Sequence, residues 1–139
     1  MNKDEKVANI NIRIKDFFFK WIEFTRPLHK LNKQQQVLLS LLLYRHYELS
    51  KEITNNKILW KEVFDYDTKV LISDEMNIQI GSIENLLSSL RKSKVIIDNQ
   101  INKNYVPDID KKTKQFKLIF NFRLIYEENP RRESKSTNS

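Results

Sequence analysis

The chain has 139 residues and a formal net charge of +7, from 25 Lys and Arg against 18 Asp and Glu. It is 40% hydrophobic and has no cysteine, which excludes disulfides and thiolate metal sites and leaves room for one domain with its own core. No apolar run approaches the roughly 18–20 residues of a membrane span; the longest, VLLSLLLY at 37–44, is interrupted by Ser40.

The N-terminal MNKDEKVANINIRIK has no continuous apolar stretch, so no signal peptide is expected. With cysteine absent, this points to a cytoplasmic protein. A basic domain of this size favours a polyanion, most often nucleic acid. Codon usage supplies part of that charge. The chain holds 18 Lys, 14 Asn and 16 Ile but one Ala and one Gly, the residue bias of an AT-rich genome.

Residues 1–8 read as a flexible N-terminus. Asn9–Lys15 alternates, with Ile10, Ile12 and Ile14 on one face, and predicts a strand. Asp16 then caps a short aromatic helix, Phe17–Phe24, which Pro27 ends or bends away from. Phe17, Phe18, Phe19, Trp21 and Phe24 are core or subunit contacts; a run of three phenylalanines cannot all bury on one helical face, so part of it suits a homo-oligomer interface.

Asn32 is a good N-cap for Lys33–Leu49, whose wide apolar face, including Val37, Leu38, Leu41, Leu42 and Tyr44, predicts a central helix. Asn55 or Asn56 opens a helix at about Lys57–Phe64, carrying Ile58, Leu59, Val63 and Phe64. Thr68–Met76 follows with Val70, Leu71 and Met76 as its apolar positions, and then Gln79–Ser93. Lys94–Asp98 is β-like and Asn99-Gln100 reads as a turn. Asp108–Lys114 is a polar loop, and Gln115–Leu124 alternates strongly enough to predict a strand. Asn129–Ser139, with Arg131 and Arg132, reads as a disordered tail. One domain over 9–128 is expected.

The informative unit runs from Leu71 to Leu90: a helix, the turn Asn77-Ile78-Gln79, and a second helix. Such a turn needs a residue with positive φ, and Asn77 stands there. Ile78 plugs the angle between the helices, and Gln79 is a mediocre cap. Ile83, Leu86, Leu87 and Leu90 form the buried face of the second helix. Gly81, Asn85, Ser88 and Lys92 occupy the opposite side, flanked by Ser82 and Ser89, and Arg91, Lys92 and Lys94 gather at the end. A helix in a major groove wants this surface: small residues, amides and hydroxyls for base edges, cations for phosphates. Glu84 opposes phosphate contact, unless it accepts from a cytosine amino group or interacts with the helix dipole.

MNIQIGSIENLLSSLRKSKVI at 76–96 resembles the recognition half of winged helix-turn-helix proteins, where a Leu-Gly-Ile-Ser turn precedes a leucine-faced helix and Gly-Val-Ile enters the wing. Met76-Asn77-Ile78-Gln79 and Lys94-Val95-Ile96 fill those places, with Asn77 for Gly, Gln79 for Ser and Lys94 for Gly. INKNYVP at 101–107 is similar to an Ile-Asn-Pro-x-Tyr piece of some plasmid and phage replication proteins, with Lys103 in place of the proline. Residues 21–124 as a whole are similar to small proteins encoded by crAss-like phages.

The resemblance implies an α+β winged helix-turn-helix with an added N-terminal strand and a C-terminal β-hairpin wing carrying Lys111, Lys112 and Lys114. It implies double-stranded DNA as partner, contacted by Gln79, Gly81, Ser82, Asn85, Ser88, Ser89, Arg91, Lys92, Lys94 and the wing lysines, in a phage or mobile-element regulator or replication accessory factor. The alternative is a virion component that uses the fold for protein contacts. No P-loop, dinucleotide fingerprint or nucleophile elbow can be built with one glycine. His29 and His46 lack metal-ligand spacing. Neither an enzyme, a cofactor nor a metal is expected.

Overall fold

The computed structural model describes residues 6–119 and 121–126. Six helices come first: α1 (Ile14–Phe24), α2 (Arg26–His29), α3 (Lys33–Leu49), α4 (Asn56–Val63), α5 (Tyr66–Met76) and α6 (Ile80–Lys92). A two-stranded antiparallel hairpin follows, β1 (Ile96–Ile97) and β2 (Gln100–Ile101), and then a 3-10 turn at Lys103–Tyr105. The chain divides into two units, one reaching Pro107 and one beginning at Asp108. All the helices and the hairpin belong to the first, which is α+β and mostly helical. Residues 1–5, Phe120, and the tail with Arg131 and Arg132 lie outside the described residues.

α3 is the central element and packs against α1, α4, α5 and α6. Its adjacent pairs Leu38-Leu39 and Leu42-Leu43 are all buried, so the helix is covered on more than one side. Its start is locally encoded. Asn32 Oδ1 accepts from the Gln35 backbone N–H at 2.9 Å, and Gln35 Oε1 accepts from the Asn32 N–H at 3.0 Å, a reciprocal capping box. The buried Gln36 is satisfied by donating to the Leu31 carbonyl at 2.8 Å.

The N-terminal strand does not form. Ile10 and Ile12 are 78% and 40% exposed, and Ile14 opens α1. Alternation alone makes no strand without a neighbour to bond to. Arg13, not Asp16, occupies the N-cap; Asp16 sits in the first turn, where its charge suits the helix dipole. Pro27 falls in the first turn of α2, where its missing N–H costs nothing. Phe18 is buried between Tyr44 and Tyr47, with ring centroids 6.1 and 5.7 Å away. Phe17 and Phe19 are half-buried, and the Lys33 ammonium stands 4.7 Å over the Phe19 ring. Trp21 Nε1 donates to the Tyr105 carbonyl at 2.8 Å. Much of the aromatic run is therefore covered by the chain itself.

In α4 the buried residues are Leu59, Trp60 and Val63, while Ile58 is exposed. In α5 they are Thr68 and Ile72. Leu71, expected on the apolar face, is 53% exposed; the buried positions of the helix are Thr68 and Ile72 instead. Thr68 donates to the Glu62 carbonyl at 3.0 Å and accepts from Arg45 Nε at 3.1 Å.

The hairpin turn is Asp98-Asn99, one residue earlier than Asn99-Gln100. Both residues have positive φ (53° and 58°), as a type I′ turn demands. Buried Val95, Ile96 and Ile101 seat it. The strand expected at Gln115–Leu124 is likewise missing. The described residues there carry only a single bridge, Asp110 to Gln115. The arm that would pair with it contains Pro107, which has no N–H to donate, and the 3-10 turn before it.

Candidate nucleic-acid interface

α5, a three-residue turn and α6 form the candidate site, and the joint between them is built from backbone. Asn77 adopts φ 57°, ψ 47°. Its N–H donates to the Asp74 carbonyl at 3.3 Å, and the Ile78 N–H to the Ser73 carbonyl at 3.1 Å. This is a Schellman ending, which requires the left-handed residue that asparagine tolerates better than most. Gln79 takes the N-cap position in extended conformation and makes no side-chain cap bond.

Ile83, Leu87 and Leu90 anchor α6, each no more than 1% exposed, with Leu86 half-buried beside them. That anchoring fixes what faces out. Gly81, Asn85, Ser88 and Lys92 are all exposed along one line, with Ser82 alongside. Gly81 has no positive φ, and a Cβ built on it meets nothing within 4 Å. The fold itself therefore makes no demand for glycine there.

Two polar residues of this helix are engaged elsewhere. Ser89 is half-buried; its hydroxyl donates to the Leu86 carbonyl at 2.7 Å and accepts from Gln35 Nε2 of α3 at 2.9 Å. It holds α3 to α6 instead of facing a ligand, which removes it from the expected base-contacting set. Glu84 pairs with Lys69 of α5 at 2.9 Å. The cytosine-reading role is thereby disfavoured, and the charge that opposed phosphate contact is partly neutralised.

Arg91, Lys92 and Lys94 make no ion pair among the described residues. The end of α6 is a second Schellman ending: the Lys94 N–H donates to Arg91 and the Val95 N–H to Leu90, at 3.1 and 3.0 Å. Lys94 has φ 65°, so it occupies a position where glycine is the usual residue. Three cations thus gather within one turn of a helix C-terminus, where the macrodipole favours them.

Lys111, Lys112 and Lys114 belong to the second unit and share one tight turn. Asp110 organises it. Its Oδ1 accepts from the Lys112 and Thr113 backbone N–H groups at 2.9 and 3.3 Å, and its carbonyl accepts from the Lys114 N–H at 2.7 Å. The Thr113 and Lys112 N–H groups hold the Asp110 carboxyl below its ordinary value.

The histidines lie elsewhere. His29 accepts from the Leu31 N–H at Nδ1 (2.9 Å) and meets the Ile22 carbonyl at Nε2 (2.8 Å). Burial pushes its pKa down, against a smaller upward effect of the Ile22 carbonyl. His46 stacks on Trp60 with ring centroids 4.1 Å apart.

Gln35 and Lys69 are the residues that sequence reasoning passed over. Gln35 carried a readable signal, as the third helical residue after Asn32, but its second role at Ser89 lies 54 positions away. Comparison with known protein families, curated proteins and solved structures finds no match for this chain.

Proposed function

We propose that the chain binds double-stranded DNA as a winged helix-turn-helix protein, with α6 as the helix that enters the major groove. The observation that supports this best is the outward face of α6. It is exposed, lined by small and hydrogen-bonding side chains, and ended by three cations that no carboxylate neutralises among the described residues. Arg91, Lys92 and Lys94 hold phosphates. Gln79, Ser82, Asn85 and Ser88 approach base edges, and Gly81 permits the close approach. Lys111, Lys112 and Lys114, in the tight turn that Asp110 organises, stand where the wing is expected and add phosphate contacts of their own. On this reading the protein is a regulator or replication accessory factor of a phage or mobile element, and acts by binding instead of by catalysis.

Salt titration tests it. A phosphate-anchored binder loses affinity steeply as salt rises, and the double variant Arg91→Ala, Lys92→Ala lowers the slope of log affinity against log salt by about 2. Salt-insensitive binding, or an unchanged slope in the variant, removes the proposal.

A second reading, as a docking component of a phage particle, draws on the apolar side chains of the second unit. Phe122 and Leu124 are 82% and 90% exposed. Stoichiometric recovery from purified virions would favour it.

A further inference from the structure

We infer that Asn85 is the residue that sets sequence preference, by reading an adenine in the major groove; this rests on the DNA-binding reading of α6. On a helix the side chains nearest to position 85 are those three and four residues away. Here they are Gly81, Ser82, Ser88 and Ser89, a glycine and three serines. Asn85 is therefore the longest side chain in its own neighbourhood, and it is exposed. No hydrogen bond or ion pair engages its carboxamide among the described residues.

Within α6 itself the other polar groups are excluded one at a time; Gln79 carries the same carboxamide but stands before the first turn, as the N-cap. Glu84 is held by Lys69. The Ser89 hydroxyl is held by Gln35 and the Leu86 carbonyl. The Ser93 hydroxyl bonds back to the Ser89 and Leu90 carbonyls at 3.2 and 3.3 Å. Ser82 and Ser88 keep exposed hydroxyls, but a rotating hydroxyl donates or accepts with any base and discriminates poorly. Arg91 and Lys92 lie one and a half to two turns further on, among the cations suited to phosphate.

A carboxamide has one donor edge and one acceptor edge. Adenine offers the matching pair in the major groove, the N7 acceptor and the N6 amino donor; guanine offers two acceptors there. The fit requires the helix to sit close to the base edges, because an asparagine reaches little beyond its own Cγ. With Gly81 and Ser82 one turn before it and Ser88 and Ser89 one turn after, no larger side chain within a turn on that face holds the helix away.

The full-length chain is used to select binding sites from a random double-stranded DNA library. The selected site is expected to hold an A·T pair at which discrimination falls by about 5- to 150-fold in Asn85→Ala, with the salt slope unchanged. Replacing that adenine by 7-deazaadenine, which lacks the N7 acceptor, is expected to weaken the parent protein and leave Asn85→Ala unaffected. Alanine is the better helix former at an exposed site, so the variant should melt no lower than the parent. Salt-sensitive binding with the same selected site in Asn85→Ala, or with no A·T preference, overturns the assignment and leaves the DNA-binding reading standing. Binding without salt sensitivity overturns both.

Discussion

Gly81, Lys94 and His29 each carry a local conflict that a substitution can expose. Gly81 stands in a helix with open space around its absent Cβ, so Gly81→Ala should raise stability by about 0.5–1 kcal/mol in urea denaturation. Gly81→Leu should still fold but lose DNA binding, since its bulk occupies the path of an approaching groove. At Lys94 the two properties pull apart. Lys94→Gly relieves a left-handed backbone and should stabilise by up to about 1 kcal/mol, while the lost cation weakens DNA binding. An experiment that moves both in the same direction contradicts the assignment. His29 is poised to be neutral: the Leu31 N–H needs a lone pair on Nδ1, and burial holds the pKa down. A group with a lowered folded pKa contributes stability that is fully present above its unfolded value, about 6.5 for histidine, and lost as pH falls through the folded one. Thermal stability should therefore drop on acidification below about pH 6.5, and His29→Gln should flatten that part of the profile.

Among the elements, those specified by nearby residues could be read from sequence, and those needing a distant partner could not. Lys33–Leu49 was legible to its last residue because Asn32 caps it and its apolar positions follow the helical period. The left-handed Asn77 was legible for the same reason. Asn77→Gly should be tolerated, and Asn77→Val, β-branched at a positive φ, should cost about 1–2 kcal/mol of unfolding free energy. The two alternating segments, Asn9–Lys15 and Gln115–Leu124, have the composition of strands, but a strand is a relation between two segments, and among the described residues the first has no ladder and the second a single bridge from Gln115 to Asp110. The same division runs through the candidate site. The outward line of α6 follows from its own periodicity. The loss of Ser89 to Gln35 and of Glu84 to Lys69 depends on how α3 and α5 lie against it. Lys69→Met should release Glu84, and the freed carboxylate should lower DNA affinity several-fold at low salt, with less effect as salt screens it.

At the scale of the molecule, the first unit holds every helix and the hairpin found among the described residues, and the described core residues all precede Asp108. A chain ending at Pro107 should retain the helical circular-dichroism signal and a single cooperative unfolding transition. Within that unit the bond from Trp21 to Tyr105 spans 84 positions and joins the first helix to the turn after the hairpin. The α5–α6 joint, by contrast, is closed by partners five residues apart or fewer. Closing a long loop is entropically slower than winding a helix or forming a tight turn. The two ends of the unit should meet after the middle has ordered, so the indole of Trp21 becomes a clock for the final step of folding. In a stopped-flow experiment on Trp60→Phe, which leaves Trp21 as the single tryptophan, fluorescence should lag behind the helical signal.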